Sequence, residues 1–132
     1  SGAVALGQSP LETLNVFIES CRKRGLDSMV DMMNIEYPTK ILRNLKKLPD
    51  VVILHRGVDE ENFNRNKPVP YIQINKIRAT FDVMISVAGG DTIREVQRAI
   101  FNDANIVVVW KEFYASSANT GMLTKQFLKE IK

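Results

Sequence analysis

The stretch "DVMISVAGGDTIREVQRAIFN" (residues 82–102) changes its hydrophobic period halfway along. Its first part, "DVMISVAGG", is a short apolar and β-branched run that ends in two glycines, and it reads as a strand. From Thr92 onward the apolar residues recur every three or four positions. That spacing places Ile93, Val96, Ile100 and Phe101 on the inward face of an amphipathic helix. Strand, glycine turn and helix in this order make one βα unit.

The same alternation continues on both sides. Downstream, "NIVVVW" (105–110) reads as a strand and "TGMLTKQFLKEIK" (120–132) as a terminal helix. Upstream, "YIQINKIRATF" (71–81) reads as a helix, "FNRNKPVP" (63–70) as a loop and "DVVILH" (50–55) as a strand. Before these, "PTKILRNLKKL" (38–48) sets Ile41, Leu42, Leu45 and Leu48 at helical spacing, and "LDSMVDMMNI" (26–35) reads as a strand. The helix "PLETLNVFIESCRKR" (10–24) aligns Leu11, Leu14, Phe17, Ile18 and Cys21, with Pro10 suited to its first turn and Gly25 ending it. Strands are expected to begin near residues 28, 51, 82 and 105, in the order α-β-α-β-α-β-α-β-α. Alternation of this kind implies parallel pairing. The opening "SGAVALGQSP" is assigned no strand and reads as an appended stub or the cut end of a larger protein.

The bulk properties exclude several classes. The chain has 132 residues, enough for one domain with a real core, and is 45% hydrophobic and 25% charged. A net charge of +3 is too mild for a dedicated nucleic-acid binder. The basic stretches Arg22–Arg24 and Arg43–Lys47 fall in helical segments and read as solvated faces. One cysteine, Cys21, excludes an internal disulfide and a cysteine metal cluster. No run approaches the roughly 18 apolar residues of a membrane span, and no signal peptide opens the chain, so a cytoplasmic protein is expected.

The polar residues gather where the strands end: Asp31 and Asn34, then His55 and Arg56, then Ser86 with Gly89 and Gly90, then Lys111. In a (β/α)8 barrel that rim carries the active site, and the loops after its last two strands hold phosphate. The fold class expected is α/β, with four parallel βα units corresponding to strands five to eight of such a barrel. This half barrel fills residues 1–132 as a single domain, the C-terminal part of a larger one.

At these residues the sequence resembles a known family. "MVDMMNI", "VVILHRGVDEE" and "ISVAGG", in this order and at these spacings, are similar to 3-hexulose-6-phosphate synthase, of the orotidine 5′-monophosphate decarboxylase suprafamily. The resemblance covers nearly the whole chain. It implies reversible aldol addition of formaldehyde to ribulose 5-phosphate, by a lyase using magnesium and an enediolate, with active sites shared across a homodimer. The family's magnesium ligands and its Asp-x-Lys-x-x-Asp motif belong to strands one to three. They have no counterpart here, so no metal ligand is assigned and the chain by itself is not expected to turn over.

His55 matches the histidine that a related decarboxylase uses as a proton donor, and an imidazole suits that work. That decarboxylase carries an arginine three positions on, where this chain has Val58, which points to the synthase branch. Asp31 matches the strand-five aspartate. Gly89 and Gly90 match the glycines that cradle phosphate ahead of a helix N-terminus. Lys111 stands where a cationic or polar phosphate ligand belongs, while Trp110 replaces the family's glycine. The expected partners are a sugar phosphate (ribulose 5-phosphate or hexulose 6-phosphate) and either a second copy or the missing N-terminal half, with no nucleic acid and no membrane. The alternative is a degenerate, non-catalytic barrel domain that binds a sugar phosphate or serves assembly; Trp110 is the feature that favours it.

Overall fold

The computed structural model describes residues 1–55, 71–88, 92–109, 113 and 120–130. Their order is β1 (Gly2–Leu6), α1 (Leu11–Lys23), β2 (Asp27–Asp31), α2 (Pro38–Asn44), β3 (Val51–His55), α3 (Tyr71–Arg78), β4 (Met84–Ala88), α4 (Ile93–Phe101), β5 (Ile106–Val108) and α5 (Thr120–Glu130). The five strands form one sheet in the order β1-β2-β3-β4-β5, and every pairing is parallel. Sequential order without reversal is the progression of a barrel wall, since a doubly wound sheet reverses at a switch point.

The strand count corrects the expectation of four. Residues 2–6, expected to be a stub, pair in register with β2 from Gly2↔Asp27 to Leu6↔Asp31. "GAVAL" is a weak strand signal because its residues are small and it lies at the sheet edge, with a single neighbour. The other strands begin within about two residues of the positions read from sequence.

One face of the sheet packs on the helices. Val30, Val52, Leu54, Ile85 and Val87 meet Leu14, Leu42, Ile74, Ile77 and Ala99 in a single buried cluster. Leu14, Ile18 and Cys21 are the buried stripe of α1, as its spacing predicts. In α4 the inward residues are Val96 and Ala99, whereas Phe101 is 89% exposed. The expectation that Ile100 and Phe101 point inward is corrected. The helix stops at Phe101, and its core contact is made by the smaller Ala99, which lets α4 sit close to the sheet.

Local chemistry ends these helices. After α1, Gly25 (φ 64°) turns left-handed, Leu26 N–H reaches the Cys21 carbonyl at 3.0 Å, and Gly25 N–H reaches that of Arg22 at 3.2 Å. After α4, Asp103 repeats the turn at φ 64°, with Ala104 N–H on the Ala99 carbonyl at 3.0 Å. Arg78 ties this second turn to α3. It donates to the carbonyls of Asp103 and Val83, at 2.9 Å each, and to Asn105 Oδ1. Among the described residues, no helix is long and apolar enough to cross a membrane.

Candidate functional site

Parallel register assigns each strand residue to a row across the sheet, and alternation assigns it to a face. Above the entry row of Gly2 and Asp27, the face away from the helix core carries three rows. The first is Val4, Met29, Val51 and Met84; the second is Leu6, Asp31, Ile53, Ser86 and Ile106; the third is His55, Ala88 and Val108. The row of Val4, Met29, Val51 and Met84 is wholly apolar. Beyond it, polar side chains enter in the two rows toward the C-terminal strand ends.

Asp31 ends β2 and His55 ends β3, one row higher on the neighbouring strand. Their side chains meet, with His55 Nδ1 3.2 Å from Asp31 Oδ2. Both are largely covered, at 29% and 13% side-chain exposure. A carboxylate only accepts hydrogen bonds, so the neutral imidazole facing it carries its proton on Nδ1. Nε2 is then an acceptor directed away from the carboxylate. The other carboxylate oxygen, Oδ1, accepts the Met33 N–H at 2.9 Å, in an Asx-type turn that locks the Asp31 rotamer.

Adjacent loops brace this pair. Gly7 N–H donates to the Asp31 carbonyl at 2.7 Å, and Met32 N–H to that of Ile53 at 2.8 Å. The backbone comes so close at Gly7 that an added Cβ would lie 3.0 Å from the Asp31 carbonyl oxygen. Gln8 extends its amide to the Met33 carbonyl at 3.3 Å, and Asn34 turns the loop at φ 60°. Gln8 and Gly7 were missed in the sequence because the strand preceding them was not recognised. A short alternation of small residues running into "GQSP" was the available signal.

Of the residues singled out from sequence, Asp31 and His55 are therefore brought together. Ser86 shares the Asp31 row but lies inside β4, 4% exposed, rather than at the rim. Gly89, Gly90, Lys111, Trp110, Arg56 and Val58 lie outside the described residues. The described side chains do not fit a magnesium site. Among them no three His, Cys, Asp or Glu residues gather, and both oxygens of Asp31 already have partners.

No family model matches the chain. In sequence it is similar to the bifunctional enzyme Fae/Hps of Methanocella arvoryzae, at 34% identity over 130 residues, and to that of Methanothrix thermoacetophila, at 35% over 130 residues. These alignments take in 98% of this chain but 33% and 32% of the relatives. The chain thus spans about a third of the length of the curated relatives it matches. In structure, 3-hexulose-6-phosphate synthase from Salmonella typhimurium superposes with a TM-score of 0.80 at 20% identity, over 98% of this chain and 62% of that one. The chain shares the fold of that synthase. A second 3-hexulose-6-phosphate synthase superposes with a TM-score of 0.78 at 21% identity.

Proposed function

We propose that this chain is part of a 3-hexulose-6-phosphate-synthase-like lyase, and that it supplies the general acid–base and phosphate-binding side of the site. The observation that carries this reading is the Asp31–His55 pair at the C-terminal end of a parallel sheet, with Nε2 left for a ligand. The likeness in sequence to Fae/Hps enzymes and in fold to the synthases supports it.

In the synthetic direction, C1 of ribulose 5-phosphate loses a proton to give an enediolate. Its C1 then attacks the carbonyl carbon of formaldehyde. One C–C bond forms, the electron pair of the C=O bond moves to its oxygen, and that alkoxide takes up a proton to give the hexulose 6-phosphate. His55 Nε2 is the group that passes these protons, while Asp31 holds the ring in one tautomer and stabilises the imidazolium. Gly89, Gly90 and Lys111 are proposed to hold the phosphate, glycine backbone N–H groups and an ammonium being suited to that charge. Magnesium is assigned to residues outside this chain.

The sheet supports the proposal that this chain is one part of a closed barrel. On the face away from the helices Val4, Leu6, Met84 and Val108 are 56%, 50%, 45% and 46% exposed, and among the described residues β1 and β5 each have one neighbour. Three further βα units would cover that face and satisfy both edges. A cytoplasmic location is part of the same proposal, since it would keep the charged sugar phosphate within reach. A second reading, a non-catalytic sugar-phosphate-binding or assembly domain, is favoured by Trp110, a bulky residue where the family's sequence has glycine.

Titration of ribulose 5-phosphate followed by NMR, with solution mass recorded on the same sample, tests the proposal. Shifts at His55, Gly89, Gly90 and Lys111 are expected. Their absence in a tight dimer would instead make the chain an assembly module.

A further inference from the structure

Ser86 is the third residue of β4, 4% exposed, with its side chain on the same face as Asp31 and His55. It shares a row with Asp31, with Ile53 between them, so the two flank the position beneath His55. Strand spacing sets Ser86 about 5 Å to the side of β3 and about 7 Å below the His55 level.

Its surroundings are apolar: Ile53 and Ile106 lie beside it and Met84 beneath. Among the described residues its hydroxyl makes no hydrogen bond. Ser28, the other buried serine among the described residues, is 1% exposed and exchanges hydrogen bonds with Asp50. Burying a hydroxyl without a partner costs stability, and alanine would fill this position at no such cost. Such groups are few in native structures and call for a role, and a partner supplied from outside the protein is one that a site residue can have. Ser86 and the Asp31–His55 pair are the polar side chains of the upper two rows of this face, with Ile53 between Asp31 and Ser86.

We propose that Ser86 is a third ligand-binding residue of this site, whose hydroxyl hydrogen-bonds a hydroxyl or carbonyl oxygen of a polyhydroxylated ligand held against the Asp31–His55 pair. This rests on the function proposed above and adds a contact one row deeper in the barrel wall. A ligand with several oxygens along an extended chain can span the two levels, whereas a compact anion cannot.

The test is a ribulose 5-phosphate titration of the unsubstituted chain and of Ser86→Ala, followed by amide shifts, with the melting temperature of each measured alongside. The expected result is about tenfold weaker binding by Ser86→Ala, the effect of one good hydrogen bond, with an unchanged or higher melting temperature. Equal affinity in the two proteins would overturn the role of Ser86 and leave the proposed function standing. A lower melting temperature in Ser86→Ala would overturn it too, by showing that the hydroxyl serves the fold. No shifts at His55 or Ala88 in the unsubstituted chain would overturn both readings.

Discussion

The Asp31 carboxylate serves two partners at once: Oδ2 lies 3.2 Å from Nδ1 of His55 on the next strand, and Oδ1 accepts the Met33 N–H at 2.9 Å. The second bond fixes the carboxylate, and the fixed carboxylate sets the imidazole. Neutral His55 is therefore expected as the Nδ1–H tautomer, which ring-nitrogen NMR shifts report directly. Asp31→Leu should move the proton to Nε2. An Nε2–H tautomer in the unsubstituted chain would contradict the assigned roles. Under the function proposed above, His55→Gln in the full-length enzyme is expected to lower kcat about 10²- to 10⁴-fold, the range for loss of a general acid–base group.

At the opposite end of the same strands, Asp50 Oδ2 accepts both the N–H and the hydroxyl of Ser28, each at 2.7 Å. The Ser28 backbone N–H is the main reason the Asp50 carboxyl is held below its ordinary value of 3.8. A carboxyl lowered by folding contributes stability above its unfolded pKa and loses it as pH falls through the folded one. Between pH 5 and the onset of acid unfolding, the parent should therefore lose more stability than Asp50→Asn, as urea denaturation at several pH values would show. At pH 7, Asp50→Ala is expected to cost about 1–3 kcal/mol by leaving the buried Ser28 unpaired.

Arg78 joins three segments through its planar guanidinium: α3, the entry to β4 at Val83, and the turn at Asp103 to Asn105. A lysine keeps the charge but cannot present several donors in one plane. Arg78→Lys is expected to destabilise the fold by about 1–3 kcal/mol. A thermal midpoint equal to the parent's would show that the clamp adds nothing.

Thr92 and Glu95 form a reciprocal cap at the start of α4. Glu95 N–H donates to Thr92 Oγ1 at 3.2 Å, and Thr92 N–H to Glu95 Oε2 at 3.0 Å. Thr92→Ala should cost about 0.5–2 kcal/mol, with faster amide exchange in the first turn of α4 and little change in β3.

Phe101 is read as inward from its spacing but stands 89% exposed. Phe101→Ser should therefore change stability by no more than about 0.5 kcal/mol. A loss of several kcal/mol in chemical denaturation would restore it to the core.

Much of this architecture was legible in local sequence. The helical stripe Leu14, Ile18 and Cys21 and the β-branched run "VVILH" each carry a period strong enough to identify the element, whereas the β-branched residues of the helix at 71–78 left its period ambiguous. The position of His55 at a strand end follows from the same pattern. Where the period was short or the residues small, the reading failed: β1 was missed, and the last turn of α4 was aimed the wrong way.

The sequence by itself determined that strands and helices alternate, that the sheet is parallel, and that Asp31 and His55 stand at strand ends. Only the tertiary structure decided that five strands run in unbroken order, that Asp31 reaches His55 from the neighbouring strand, and that Ser86 is buried on the same face without a partner among the described residues. The reason is physical. Periodicity records which face of its own element a residue occupies, whereas contacts across strands depend on register, which is set by packing of the whole sheet against its helices.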